Sequence, residues 1–179
     1  MPPATTRNAQ VVRDNLRRGL DLVIVGINPG LASAAARSPY AGPTNHFWPL
    51  LHESGIVTEP LTYHDFKRTL EFSVGLTNLV DRESRSVDDL SRDELRAGAE
   101  ALQAKLRRYR PRVVAFNGKG IAEVFLGGRV ALGLQPEPWE SMPIFVMPST
   151  SARAASYQRP AKLAFFQELK RLVDEERSA

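Results

Sequence analysis

The chain has 179 residues, 42% of them hydrophobic and 25% charged, a formal net charge of +4 and no cysteine. That length suits one domain with a sizeable core, and the missing thiols exclude disulfides, iron–sulfur clusters and thiolate zinc sites. No apolar run reaches the ~20 residues that span a bilayer, and the first residues lack the apolar stretch of a signal peptide. His46, His52 and His64 are too poorly spaced for a metal site, so the expectation is a cytoplasmic protein without metal (nucleoid-associated, if bacterial). The positive charge, much of it arginine, fits plain solubility and fits a polyanionic partner; composition does not decide between them.

In chain order, residues 1–8 read as a frayed terminus, and Gln10–Gly19 as a short helix that Gly19 stops. Leu22–Val25 is a buried strand that breaks into the turn Gly26-Ile27-Asn28-Pro29-Gly30, followed by a loop carrying Tyr40. Asn45–Ser54, ended by Gly55, and Thr62–Leu70 are expected helices, and Gly75–Val80 is extended. Ser91 and Glu94 form a capping box. The helix it opens keeps Leu95, Ala99, Leu102, Leu106 and Tyr109 on one face until Pro111. Arg112–Phe116 is a second buried strand, closed by Asn117-Gly118-Lys119-Gly120 and followed by a helix over Ile121–Leu126. Gly133–Pro143 reads as a loop or edge, Ile144–Met147 as a third strand, and Ala161–Val173 as a helix.

Alternating strands and helices predict an α/β fold, a mostly parallel sheet covered on both faces. In such sheets ligands bind beyond the carboxyl ends of the strands. Three strand exits should therefore converge: Gly26–Ser33, Asn117–Gly120 and Pro148–Arg153. The first is neither a GxxxxGK[ST] nor a GxGxxG loop. It reads equally as an ordinary turn, as a phosphate cradle, or as a platform on which the Asn28 carboxamide holds a water. Asn117 offers a donor and an acceptor to a ligand edge, while Lys119 can meet a phosphate or simply be solvated. The third exit carries three small hydroxyls and Arg153, typical contacts to a nucleic-acid backbone, or else an ordinary serine-rich surface loop. Tyr40 offers a face on which a base can stack. Together these groups suit a crevice that grips a nucleobase turned out of a helix.

The segments Gly26–Leu31, Gly42–Trp48, Phe116–Lys119 and Met147–Arg153 resemble those of the mismatch-specific uracil/thymine-DNA glycosylases, over residues from about 20 to about 170. The Met147 form of the last segment is closer to the thymine branch. The resemblance implies a three-layer α/β/α sandwich of the uracil-DNA glycosylase type and a monofunctional glycosylase without metal or organic cofactor. It would act as a monomer on uracil in mismatched double-stranded DNA, starting base excision repair. Thymine and other damaged pyrimidines remain open as substrates, since Ser33 stands where family members differ.

By the same resemblance Asn28 is catalytic and positions the attacking water. Gly26, Ile27, Ser33, Tyr40, Asn45 and Asn117 bind the base, with Tyr40 stacking on it and Asn117 contacting its edge. Lys119, Ser149, Ser151 and Arg153 bind DNA, with Arg153 the wedge entering the vacated stack. A carboxylate among Asp81, Asp88, Asp89 and Asp93 is a candidate helper, against a plain capping or solvated role. Two other readings stay open: a non-catalytic DNA lesion-binding module, and a nucleotide-binding α/β hydrolase.

Overall fold

A computed structural model describes residues 12–154 and 156–179. The apolar runs become strands β1 (Leu22–Gly26), β2 (Val74–Asn78), β3 (Val113–Asn117), β4 (Gly133–Leu134) and β5 (Ile144–Met147). Between and after them lie helices α1 (Leu31–Ala36), α2 (Phe47–Glu53), α3 (Arg92–Tyr109), α4 (Lys119–Leu126) and α5 (Arg159–Ser178). The sheet order is β2-β1-β3-β5-β4, with all pairs parallel except the short β4 on β5.

The period-2 alternation of a strand divides the buried side chains between two cores. Leu22 and Ile24 of β1 and Val113 and Ala115 of β3 pack with Phe47, Leu50 and Leu51 of α2 and Phe166 and Leu169 of α5. Val23 and Val25, with Val114 and Phe116, pack instead with Leu102 and Leu106 of α3 and Ile121, Ala122 and Phe125 of α4. This is the expected three-layer α/β/α architecture. Both faces of the central strands are covered, which is why they read as continuous apolar runs. No helix among the described residues is long and apolar enough to cross a membrane.

The Ser91–Glu94 capping box forms on both sides, and Ala99, Leu102 and Leu106 are the buried stripe of α3. Arg110 then turns left-handed at φ 47° and Pro111 follows. Gly98 faces inward so closely that a Cβ there would lie 2.3 Å from the Leu79 carbonyl oxygen, which sets how near α3 comes to the end of β2.

Several expectations fail locally. Residues 1–8, and the first two of the Gln10–Gly19 helix, lie outside the described residues. The rest of that stretch is not helical. Asn15 exchanges backbone hydrogen bonds with Leu76 of β2 (2.8 and 2.9 Å), and its amide reaches Phe66 O and Thr69 Oγ1. A ten-residue helix is marginal alone, and these long-range bonds outcompete it. The expected helix over Thr62–Leu70 does form, as a 3₁₀ helix over Tyr63–Phe72 capped by Thr62. The loop before Tyr40 contains α1, whose alanines have strong helix propensity. The expected last helix extends over Arg159–Ser178, with a proline in its first turn.

Candidate active site

The chain leaves β1 toward β2 on one side and later crosses to β3 on the other, so the switch point of the sheet lies between β1 and β3. Beyond it lie the residues after β1, those after β3, and those after β5, where Asn117 stands opposite Met147 in register. These are the three exits read from the sequence.

Asn28 is half-buried, and both hydrogens of its Nδ2 are committed. One goes to the Arg82 carbonyl (2.8 Å) and the other to Ser84 Oγ (2.8 Å). Ser84 Oγ in turn donates to Ser86 O at 2.7 Å. Asn28 Oδ1 has no partner among the described residues, so the carboxamide is held in one orientation with only its acceptor to offer. The segment that holds it is itself tied down. Leu79 N–H donates to Gly26 O and Val80 N–H to Ile27 O, both at 2.8 Å, and Ser84 N–H to Pro29 O at 3.3 Å. Arg82 is anchored by Glu94 at 2.6 Å. The Arg82 guanidinium, together with the Ser91 backbone N–H, holds the Glu94 carboxyl down to about 2.

None of the four candidate carboxylates hydrogen-bonds Asn28. Asp89 caps the turn at Ser86 (3.3 Å), Asp93 sits in the first turn of α3, and Asp81 and Asp88 are exposed. The service this segment renders to Asn28 comes from a backbone carbonyl and a serine hydroxyl.

Tyr40 takes a left-handed backbone, φ 55°. Its ring stacks on Phe47 with centroids 3.8 Å apart and planes 19° from parallel. Its hydroxyl is buried against the bare backbone of Gly26 and near the Asn117 amide, without closing a hydrogen bond of good geometry. A Cβ at Gly26 would meet Asn78 Oδ1 at 2.5 Å and the Tyr40 hydroxyl at 2.9 Å, so glycine is what lets the ring in. Ser33 is buried, and its Oγ accepts from Ala41 N–H at 3.1 Å, fixing the loop that presents Tyr40. Asn45 Oδ1 accepts from Phe47 N–H, the first of α2, at 3.0 Å, which leaves the Asn45 amide hydrogens without a partner among the described residues.

Asn117 is also partly committed. Its Nδ2 donates to Thr150 Oγ1 (2.9 Å) and its Oδ1 accepts from Thr150 N–H (3.0 Å), so one hydrogen, near the Tyr40 hydroxyl, and one lone pair are left without a closed hydrogen bond. The pair stitches the end of β3 to the exit of β5. In that exit Ser151 N–H donates to Ser149 Oγ (3.2 Å) and Arg153 N–H to Ser151 Oγ (3.3 Å). Neither hydroxyl hydrogen has an acceptor among the described residues. Arg153 is exposed and reaches across to the Arg85 carbonyl at 3.2 Å, joining this loop to the segment that holds Asn28. Lys119 stands exposed at the start of α4.

The sequence model of the Uracil DNA glycosylase superfamily matches residues 14–172. The chain belongs to that superfamily. Its fold is also that of a candidate uracil DNA glycosylase from Methanosarcina acetivorans solved by solution NMR. The TM-score is 0.59 at 20% identity, over 90% of this chain and 98% of the other.

In this superfamily member, two residues that hold the candidate site, Arg82 and Ser84, escaped the sequence reading. Arg82 and Ser84 lie 54 and 56 positions from Asn28, and nothing local marks them as its partners. Thr150, the buried middle hydroxyl of the third exit, was legible only as one of three. His46 N–H donates to Thr150 O at 3.1 Å and ties the start of α2 to the same loop.

Burial pushes the Tyr40 phenol up to about 12, partly offset by Asn117. The group is neutral in the fold until well above the ordinary tyrosine value near 10. Its contribution to stability is thus complete below pH ~10 and lost as pH rises from ~10 to ~12, about 1.4 kcal/mol per unit. Urea unfolding across that range should show this loss in the wild type and not in Tyr40→Phe. At neutral pH the same variant should be more stable by about 1 kcal/mol, since it removes a buried hydroxyl without a partner. Parallel alkaline slopes in the two proteins would show that Tyr40 does not titrate in this way.

Proposed function

We propose that the protein is a monofunctional DNA glycosylase that hydrolyses the N-glycosidic bond of uracil mispaired in double-stranded DNA, and so begins base excision repair. The observation that carries this reading is the state of Asn28. Its two amide hydrogens are tied to Arg82 O and Ser84 Oγ and its oxygen has no partner among the described residues; it stands two positions after the Gly26 that the Tyr40 hydroxyl lies against, on a segment that Arg153 reaches through Arg85 O. An amide oxygen so held accepts a hydrogen from one water and points a lone pair of that water at C1′ of an extruded nucleotide.

As the C1′–N1 bond breaks, its electron pair leaves with the base and positive charge grows on the sugar. The remaining hydrogen of Asn117 Nδ2 stabilises the base anion, in the manner of an oxyanion donor. Water oxygen bonds to C1′, and its proton passes to solvent. The face of Tyr40 turned away from Phe47 stacks on the base, and Arg153 fills the gap in the duplex. Among the described residues no carboxylate hydrogen-bonds Asn28, and this reading assigns no general base, a group worth ~10²–10⁴-fold. Turnover should be slow and selection should lean on the ease with which a mispaired base is extruded. Uracil opposite guanine is the preferred substrate; the Met147–Arg153 form of the third exit and the Ser33 hydroxyl favour a trial of thymine and modified cytosines. The protein acts without metal or organic cofactor, as a monomer.

The absence of a carboxylate at Asn28 also favours a second reading, a module that binds lesions without cutting them. The test is alkali-labile site formation on duplexes carrying U:G, T:G or U:A pairs. Abasic product on U:G supports the glycosylase. Tight mismatch binding without product leaves the binding module, and binding of free nucleotides without salt-sensitive duplex binding would point to a nucleotide hydrolase.

A further inference from the structure

Lys162, in the first turns of α5, is 2% exposed and ranks among the largest fully buried side chains. The other buried or half-buried lysines have acids beside them: Lys105 pairs with Asp14 and Lys170 with Asp174. Lys162 pairs with no carboxylate among the described residues. Its Nζ makes one hydrogen bond, to the Ser151 carbonyl at 3.2 Å. Burial pushes its pKa down, as expected for an ammonium removed from water without a counter-ion. An unpaired buried cation is costly, and a methionine of similar length would fill the same space without that penalty.

The place it occupies shows what offsets the cost. Lys162 supports the turn in which Ser149 Oγ and Ser151 Oγ each accept a backbone hydrogen bond and keep their own hydrogens for an outside acceptor. Two hydroxyl donors above a cation lacking an anion make a seat for a singly charged oxyanion.

We propose that Lys162 is part of the DNA site: from beneath the 149–153 turn it fixes the Ser151 carbonyl and supplies the positive charge that a DNA phosphate, seated on the Ser149 and Ser151 hydroxyls, completes. The inference rests on the glycosylase reading for the presence of DNA at this turn. Lys162 is a positioning and phosphate-binding residue and touches no reacting atom.

The test compares wild type, Lys162→Met, Lys162→Gln and Lys162→Arg in binding to a uracil-bearing duplex over a range of salt, with thermal midpoints as a check on folding. Met keeps the length, Gln keeps a donor for Ser151 O, and Arg keeps the charge. Both uncharged variants should bind roughly tenfold more weakly at low salt, with the slope of log K against log salt shallower by about 0.9, the loss of one phosphate neutralised. Arg should retain the wild-type slope. Wild-type slopes in Met and Gln overturn the proposal. So does loss in Met alone, which would make the lysine only a prop for Ser151. If Met does not fold, Gln against Arg gives the same answer. Failure of the glycosylase reading is separate: the wild type would bind the duplex and release no abasic product.

Discussion

Asn28→Ala should cleave a U:G duplex at least about 10²-fold more slowly in single turnover, since losing the group that places a reacting water costs that much in well-positioned sites. Duplex affinity should change little, because Lys119, Ser149, Ser151 and Arg153 are left in place. Ser84→Ala should reproduce part of the loss. It removes one of the two acceptors at 2.8 Å that hold the Asn28 amide, while Arg82 O still accepts from the other hydrogen. An Asn28→Ala protein that cuts at the wild-type rate would remove the carboxamide from the chemistry and leave the lesion-binding reading in its place.

Phe47→Ala should have the largest effect on stability. Phe47 is fully buried, stacks on Tyr40 at 3.8 Å, and meets Trp48 and Phe166 edge-on at 5.0 and 6.4 Å. Removing its ring leaves a cavity in the core beneath α2 and α5, at a cost of about 3–5 kcal/mol. Part of that is the aromatic pairing itself, about 0.5–1.5 kcal/mol per pair. The readout is the urea midpoint, expected to fall sharply with an unchanged slope. Where the variant is still folded, cleavage should fall too, because Tyr40 loses the ring that backs it. Tyr40→Ala separates the two effects: it removes the stacking face and leaves Phe47 in the core. A Phe47→Ala midpoint equal to the wild type would contradict this packing.

The residues readable in advance were those whose environment is set by near neighbours or by burial alone. Leu22–Val25, Arg112–Phe116 and Ile144–Met147 are apolar on both faces because both faces are covered, and that shows in composition. Ser91 and Glu94 cap α3 across a three-residue span. The failures have the opposite character. Asn15 abandons a helix for Leu76 and Thr69, more than fifty positions away. Asn117 looked like a free ligand reader, yet half of its capacity goes to Thr150, 33 positions on. Lys162 lies in the expected helix Ala161–Val173, and only the fold turns it inward to Ser151.

The amino-acid sequence by itself determined the three central strands β1, β3 and β5, the helices α2 to α5, and the three exits with their amides, hydroxyls and arginine, because strand burial, capping and glycine turns act over a few residues. The tertiary structure alone decided what state those groups are in: Asn28 clamped by Arg82 and Ser84, Tyr40 backed by Phe47 against a bare Gly26, and a buried ammonium under the serine turn. Each depends on hydrogen bonds and packing between segments distant in the chain, whose partners no local pattern encodes.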